Sequence, residues 1–289
     1  MKVKVYTLNA FAKINNGGNP AGVVLHENGL TEKYMKEIAA KVGFSETAFV
    51  QESKNADYKL RFFTPNKEVD LCGHATIAAF YLLASIGEIQ SGEYTEETKA
   101  GVLKVQCTKN KSIFMNQLNP EFYEALDKRY IADSLNIEEE LIAEQFPIQI
   151  VSTGIRDILI PINSLEALYK VKPDFDKIAK ISEKLNVTGY HLFTLETENK
   201  AIANCRNFAP LYDIPEEAAT GTSSGALSCY LYKYGVINKD NSKNIIFKQG
   251  YSMGRPSEII ACLEISDEKI IEVKVGGTAL NIKEKLISI

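Results

Sequence analysis

The chain has 289 residues, 45% of them apolar, which is enough to form the core of one large domain or of two domains of medium size. Its 33 basic and 37 acidic residues give a net charge of −4, a balance that argues against nucleic-acid binding. The sequence contains no run of about eighteen apolar residues, so we expect no transmembrane helix and no membrane partner.

The cysteines and the first residues indicate the compartment. Residues 1–8 alternate as a strand does and lack the pattern of a signal peptide. The five cysteines are odd in number and never form a C-x-x-C pair, so we expect neither disulfides nor a zinc site. Together these features predict a cytoplasmic protein without a bound metal.

Strands dominate the first part of the chain. Alternating apolar residues, bounded by turn residues, predict strands at residues 2–11, 21–25, 45–50, 58–63, 103–107 and 112–115. Thr31 precedes a helix predicted over residues 32–42, which ends at Gly43.

A second helix, predicted over residues 75–86, is apolar or small on nearly every side. Such a helix is enclosed by other elements rather than lying on a surface. Gly73 and His74 stand at its start, where unpaired N–H groups favour an anion and an imidazole can exchange a proton.

From about residue 116 the pattern repeats. A helix predicted over residues 174–185 corresponds to the helix over 32–42, and GYHLF (189–193) is placed against GFSET (43–47). RNFAP (206–210) corresponds to RFFTP (61–65), and ATGTSSGA (219–226) begins a second apolar helix. The repeat predicts two pseudo-symmetric α/β domains, residues 1–115 with 278–289 and residues 116–277, each with its strands wrapped around one enclosed helix.

Two such domains suggest where a ligand binds. We expect both helix N-termini to face a cleft between the domains and to bind a small carboxylate there. The alternative to a ligand-binding cleft is a duplicated architecture that binds no ligand.

Eight motifs occur in the order found in one family, and no single one of them is specific by itself. They are GNPAGV (18–23), FSETAF (44–49), CGHAT (72–76), RNFAP (206–210), ATGT (219–222), QG (249–250), MGRPS (253–257) and VGG (275–277). Over its whole length the chain therefore resembles the PhzF-like (phenazine biosynthesis) family, which has the diaminopimelate-epimerase-like fold. This resemblance implies that each domain is a barrel-like sheet around a central helix.

The resemblance implies an isomerase without metal or organic cofactor, usually a homodimer, that shifts a double bond by moving a proton. Glu46 matches the family's catalytic glutamate. It lies among apolar residues of the strand predicted over 45–50, where burying an ionised carboxylate costs free energy unless the group has a function or a partner. A solvent-facing strand residue is the alternative. His74 matches the family's site histidine and is predicted to bind the substrate or to orient the proton on Glu46.

Further residues are predicted to bind the substrate. Gly73, Gly221 and Thr222 offer backbone N–H groups and a hydroxyl to a carboxylate, although tight packing also explains the glycines. Ser45 and Asp213 complete this set.

The third predicted catalytic residue, Glu217, departs from the family. Many members read EDPATG where this chain reads EEAATG (216–221), so a glutamate replaces the site aspartate. The added methylene moves the carboxylate by about 1.5 Å, a shift to which active sites are sensitive. The substrate therefore stays open beyond a small carboxylate.

Two other functions remain alternatives. Epimerases of this fold use two opposed cysteines, but Cys72 has Thr220 as its counterpart, and a threonine hydroxyl is a poor base at pH 7. An amino-acid racemase or a dehydratase that uses Cys72 alone stays open, although packing at the helix start is the simpler role. The other alternative is a non-catalytic small-molecule binding protein.

Overall fold

The structure, a computed structural model, describes residues 1–27 and 29–289. Its strands, in chain order, are β1 (Lys2–Ala10), β2 (Asn19–Leu25), β3 (Thr47–Gln51), β4 (Tyr58–Phe63), β5 (Glu68–Val69), β6 (Gly92–Thr98), β7 (Gly101–Cys107), β8 (Ile113–Gln117), β9 (Glu121–Ala125), β10 (Gln149–Ser152), β11 (Arg156–Pro161), β12 (Gly189–Thr194), β13 (Ala203–Ala209), β14 (Ile214–Glu217), β15 (Ile245–Gln249), β16 (Ser257–Ser266), β17 (Lys269–Gly277) and β18 (Ala279–Ser288). The helices are α1 (Glu32–Val42), α2 (Gly73–Ser85), α3 (Lys128–Leu135), α4 (Leu165–Lys170), α5 (Phe175–Leu185) and α6 (Gly221–Lys233).

The chain forms two compact units. Unit 1 comprises Met1–Asn116 and Gly276–Ile289, and unit 2 comprises Gln117–Val275. Among the described residues, no helix combines the length and the apolar composition that crossing a membrane requires.

In unit 1 one sheet surrounds a helix. Strand pairing runs β18–β1–β2–β3–β4–β6–β7–β8, with β2–β3 and β4–β6 parallel. Helix α2 packs against β1, β2, β3, β7 and β18, and ten of its thirteen side chains are buried. Its apolar surface has therefore left water on all sides, as predicted, and such burial favours folding.

Unit 2 is built in the same way. Its pairing runs β9–β10–β11–β12–β13, after which β13 pairs with both β14 and β15, and β15 with β16. Helix α6 packs against β10, β11 and β16, and α3, α4 and α5 contribute to a separate apolar core. The predicted mixed α/β fold, with a sheet around a central helix in each half, is confirmed. The sequence analysis did not predict α3 and α4.

An arginine–glutamate pair is repeated in the two units. Arg61 of β4 binds both carboxylate oxygens of Glu68 at 2.7 and 2.8 Å. Arg206 of β13 binds Glu216 in the same bidentate manner at 2.9 Å and also donates to two carbonyl oxygens. These arginines therefore hold β5 and β14 in place.

Strand register corrects two details of the repeat. Arg61 pairs with Phe49, and Arg206 pairs with Leu192, so Gly189 is the counterpart of Glu46 and the placement of 189–193 against 43–47 was wrong. In addition, β3 begins at Thr47, so Glu46 precedes the strand instead of lying within it.

A buried carboxyl group lies beside α2. Glu96 of β6 is fully buried and accepts a hydrogen bond from the hydroxyl of Thr76 at 3.2 Å. Burial raises the pKa of Glu96 to about 8, so this carboxyl group is mainly protonated at neutral pH.

We predict that Glu96 makes the protein less stable as pH rises. Unfolded Glu96 titrates near 4.5 and native Glu96 near 8, so between these values the native state binds more protons and its free energy of unfolding falls with pH. Glu96→Gln keeps the shape but cannot ionise. Its stability should therefore vary less between about pH 5 and 8, and exceed that of the wild type by a few kcal/mol at pH 8, at about 1.4 kcal/mol per pKa unit.

Urea unfolding at several pH values measures this difference. Glu97→Gln on the same strand is the control, because the pKa of Glu97 is lowered by hydrogen bonds from Ser53 and Lys59, so that variant should keep the slope. Equal slopes for Glu96→Gln and wild type would refute the prediction.

Candidate active site

The start of α2 brings three reactive side chains of unit 1 together. The imidazole Nε2 of His74 lies 3.3 Å from Oε2 of Glu46. On the same ring, Nδ1 lies 3.5 Å from the Cys72 sulfur. Cys72 is the extended residue before α2, His74 is in the first turn, and Glu46 stands just before β3. The loops on which these residues lie are fixed by the helix and strand that follow them.

Burial strengthens the pair formed by Glu46 and His74. Their side chains are only 15% and 8% exposed. Less water surrounds these two side chains than surrounds a surface ion pair. The electrostatic interaction between the carboxylate and the imidazole is therefore screened less. A carboxylate and an imidazole in this contact can share or exchange a proton.

The central helices differ from four others in how they begin. Side chains accept hydrogen bonds from the first-turn N–H groups of α1, α3, α4 and α5, namely those of Thr31, Asp127, Ser164 and Asp174. Helices α2 and α6 follow Cys72 and Thr220, and neither side chain makes such a bond. The start of each helix thus keeps the positive potential that favours an anion.

Space is available at Gly73. A Cβ atom added there would meet nothing within 4 Å in the described chain, apart from its own helical turn and neighbours. Packing inside the protein therefore does not require this glycine. The close approach of a ligand to the backbone of the first turn is a sufficient reason for it.

In unit 2, Glu217 is part of a hydrogen-bonded network before α6. The Thr220 hydroxyl donates to Oε2 of Glu217 at 2.7 Å and accepts from Nε2 of Gln249 at 3.0 Å. Gln249 also donates to the backbone oxygen of Glu217 at 2.7 Å and accepts from the Thr220 N–H at 3.2 Å. Gln249, which is fully buried, thus fixes both the strand that carries Glu217 and the start of α6.

A second cluster of hydrogen-bonded polar side chains lies at the first turn of α6. The Ser223 hydroxyl donates to Asp157 of β11 and accepts from Nδ2 of Asn207 at 3.3 Å, and Asn207 also contacts Nδ1 of His191 at 3.2 Å. Burial, with a smaller contribution from the negative charge of Glu217, raises the pKa of Asp157 to about 7. Burial lowers the pKa of His191 to about 3, so this imidazole is neutral.

The remaining predicted residues occupy varied positions. Thr222 lies in the first turn of α6, where its backbone oxygen accepts from the Thr153 hydroxyl at 3.2 Å. Ser45 is exposed in the bend before Glu46. Asp213 is exposed in a left-handed turn before β14, and no hydrogen bond found among the described residues links its side chain to the Glu217 network. The predictions for Ser45 and Asp213 rest on the resemblance.

Sequence reasoning gave no role in this region to Asp157, Ser223 and His191, and it noted Gln249 and Asn207 only as members of the QG (249–250) and RNFAP (206–210) motifs. One signal was present for some of them, because Asp157 and His191 are polar residues within otherwise apolar strand sequences. A buried polar residue in such a strand needs a partner, which is what Ser223 and Asn207 supply.

A cavity of about 990 Å³ in unit 2 is not lined by any of the site residues described above. It is lined by the last residues of α6, including Tyr232 and Lys233, and by Phe122 and Glu268. Gly221 and Lys233 are the first and the last of the thirteen residues of α6 and lie about 18 Å apart along the helix axis. The reactive side chains, and not this cavity, therefore identify the candidate site.

The family model described as phenazine biosynthesis-like protein matches residues 8–285. The chain belongs to this family. The predicted family membership is therefore confirmed. The prediction of an isomerase is also confirmed, at the level of the family.

Individual relatives agree with this assignment. An uncharacterized isomerase of Clostridium acetobutylicum is 38% identical, with 96% of both chains covered. The trans-2,3-dihydro-3-hydroxyanthranilate isomerase of Pseudomonas fluorescens is 27% identical, over 94% of this chain and 95% of that one. The crystal structure of a PhzF-family phenazine biosynthesis protein of Bacillus anthracis is 32% identical, covers both chains fully and superposes with a TM-score of 0.90.

We predict that Gln249→Leu destabilises the protein by about 2–4 kcal/mol. It removes hydrogen bonds to Thr220 and to Glu217 and leaves buried polar groups unsatisfied, each costing about 1 kcal/mol or more. Urea unfolding measures the loss. Gln106→Leu on the partly buried surface of β7 is the control and should change stability by less than about 0.5 kcal/mol. Equal effects of both substitutions would contradict the assigned role of Gln249.

Proposed function

We propose that the protein is a cofactor-independent isomerase that moves a proton on a small carboxylate-bearing cyclic or amino-acid-like substrate. The observation that carries this proposal is the contact of Glu46 with His74 at 3.3 Å, at the start of a helix that no side chain caps. Family membership supports the reaction class, and one relative is named as an isomerase of a cyclic amino acid.

Glu46 is the general acid and base of the proposed reaction. Its carboxylate removes a proton from a carbon next to a double bond, and the electron pair left behind shifts that double bond by one position. The protonated Glu46 then returns the proton to the far carbon of the same unsaturated system, so no atom is gained or lost. His74, in contact with Glu46, orients this carboxyl group and binds a polar group of the substrate.

The helix starts supply carboxylate binding. Gly73 and Gly221 offer backbone N–H groups in the first turns of α2 and α6, and Thr222 adds a hydroxyl. Each helix dipole contributes about 0.3–1 kcal/mol to binding an anion, and more where water is excluded. Ser45 and Asp213 are proposed as further substrate contacts.

Glu217 is proposed to hold a polar group of the substrate. Thr220 and Gln249 fix the carboxylate and the backbone of Glu217, which favours a positioned contact over a mobile one. Because a glutamate stands where many relatives have an aspartate, we propose that the substrate differs from that of the Pseudomonas relative. A homodimer is proposed from the resemblance, and a cytoplasmic location from the cysteine pattern of the sequence.

A racemase or dehydratase that uses Cys72 is the second candidate, favoured by the 3.5 Å contact of the Cys72 sulfur with His74, which resembles an activated thiol. Against it, the hydroxyl of Thr220, the counterpart of Cys72, is engaged with Glu217 and Gln249. Cys72→Ala separates the candidates: an enzyme that uses the Cys72 thiol loses all activity, whereas an isomerase that uses Glu46 keeps its proton exchange. Thiol alkylation likewise abolishes the activity of a Cys72 enzyme and only obstructs the site of a Glu46 enzyme. The Glu46–His74 pair also argues against a purely non-catalytic binding protein.

We predict that Glu46→Gln lowers proton exchange by about 10²–10⁴-fold, because the amide keeps the shape but cannot accept a proton. The assay incubates cyclic unsaturated amino acids, beginning with trans-2,3-dihydro-3-hydroxyanthranilate, in deuterated water and follows deuterium incorporation by mass spectrometry. Glu52→Gln, an exposed residue just beyond β3, is the matched control and should keep wild-type exchange. Undiminished exchange in Glu46→Gln would refute the assignment of Glu46.

We predict that Gly73→Ala weakens substrate binding without destabilising the fold. The new methyl group meets open space in the protein, and alanine favours a helix by up to about 1 kcal/mol over glycine. The methyl group stands where the carboxylate approaches the backbone, so KM should rise by about tenfold, or 1.4 kcal/mol. Steady-state kinetics and thermal unfolding measure both effects. An unchanged KM would show that no substrate group approaches this turn.

A further inference from the structure

We propose that Glu46, Cys72 and His74 form a binding site for a thiophilic divalent cation of the Zn²⁺ type, and that the bound ion inhibits the enzyme. The cation site follows from the geometry of unit 1, whereas the inhibition rests on the proposed function. One ligand atom from each residue lies within 4.8 Å of the other two.

The distances match those of a tetrahedral metal site. Zinc binds sulfur at about 2.3 Å and nitrogen or oxygen at about 2.0–2.2 Å, which places neighbouring ligand atoms about 3.4–3.6 Å apart. Nε2 of His74 lies 3.3 Å from Oε2 of Glu46 and 3.9 Å from the Cys72 sulfur. The Glu46 oxygen and the Cys72 sulfur lie within 4.8 Å of each other, so side-chain rotations that shorten this distance by up to about 1 Å would complete the coordination.

The kinds of ligand select the metal. A thiolate, an imidazole and a carboxylate together suit Zn²⁺ or Co²⁺, whereas Mg²⁺ and Ca²⁺ prefer oxygen alone. Three protein ligands leave a fourth position for water. When the ion binds, the Cys72 thiol releases its proton to solvent, and the two negative ligands balance the charge of the cation.

Occupation of this site would stop proton transfer. The ion engages the Glu46 oxygen that is proposed to accept the substrate proton and the His74 nitrogen that faces it. Neither atom is then available as an acid or a base. Cys72, to which the isomerase mechanism gives no task, becomes the residue that makes the enzyme sensitive to zinc.

The sequence did not indicate this site because its ligands are not arranged in a zinc motif. Cys72 and His74 are two residues apart, and Glu46 precedes Cys72 by 26 residues at the end of another loop. The earlier expectation of no zinc site considered only C-x-x-C spacing. Contact between the start of α2 and the residue before β3 supplies the third ligand.

Cobalt titration tests the cation site directly. We expect metal-free wild-type protein to bind one Co²⁺ per chain with the near-ultraviolet absorption of a thiolate–cobalt bond, and one equivalent of Zn²⁺ to abolish that absorption. Cys72→Ser should lose the absorption and bind Zn²⁺ at least about tenfold more weakly, a loss of 1.4 kcal/mol. Cys262→Ser, at a partly buried cysteine of unit 2, is the matched control and should behave as wild type.

Two further measurements keep the test decisive. His74→Gln should also bind Zn²⁺ at least about tenfold more weakly, which provides an answer if Cys72→Ser does not fold by circular dichroism. In wild-type protein, Zn²⁺ should suppress deuterium exchange and EDTA should restore it. The proposal is refuted if excess Co²⁺ gives no thiolate absorption, if the absorption survives in Cys72→Ser, or if saturating Zn²⁺ leaves exchange unchanged.

The outcomes separate this proposal from the proposed function. Cobalt absorption requires no substrate, so failure to find isomerase activity leaves the test of the cation site intact. Conversely, loss of exchange in Glu46→Gln supports the proton transfer whether or not a metal binds.

Discussion

Enclosure of α2 by the sheet of unit 1 is the constraint on which the candidate site depends. Ten of the thirteen helix residues are buried against strands on several sides, so the helix cannot slide or rotate without opening gaps in a close-packed core. The positions of Gly73 and His74 at its start are fixed as a consequence. Glu46 meets them because β3 begins at Thr47, directly beside the helix.

The two units share a framework but differ where chemistry would take place. The bidentate pairs Arg61–Glu68 and Arg206–Glu216 hold equivalent strands, which shows that the framework was kept. Glu46, in contrast, has Gly189 as its counterpart.

A side chain has no room at Gly189, because a Cβ atom there would lie 2.0 Å from the Phe208 oxygen. Cys72 and His74 likewise have Thr220 and Thr222 as counterparts when the helix starts are aligned. Groups able to transfer a proton are thus concentrated in unit 1, whereas unit 2 offers hydroxyl groups and the Glu217 carboxylate.

Each central helix also has a buried acid bound by a hydroxyl group near its start. Thr76 of α2 binds Glu96, and Ser223 of α6 binds Asp157. Burial raises the pKa of Glu96 to about 8 and that of Asp157 to about 7, so these groups carry less negative charge at neutral pH than exposed carboxylates do. A fully ionised carboxylate at these places would reduce the positive potential of the helix starts. Partial or full protonation preserves that potential for an external anion.

The sequence by itself determined the α/β fold, the enclosed helix, the repeat and the family. Apolar periodicity and turn residues are local in the chain, and ordered motifs need no coordinates to be read. Glu46, His74 and Glu217 were selected in this way before their surroundings were known. The bounds of β3 and the true counterpart of Glu46 were missed, because strand register is decided by cross-strand pairing and not by local pattern.

Only the tertiary structure decided which partners the selected residues have. Glu46 contacts His74 and lies near Cys72, across a sequence separation of 26 residues or more, and Glu217 depends on Gln249, which lies 32 residues later in the chain. Glu96 and Asp157 were not recognised as buried acids, because the burial of a carboxyl group depends on which elements pack over it. Distances and desolvation arise from the packing of distant segments, and for that reason the chemistry of these residues could not be obtained from the order of amino acids alone.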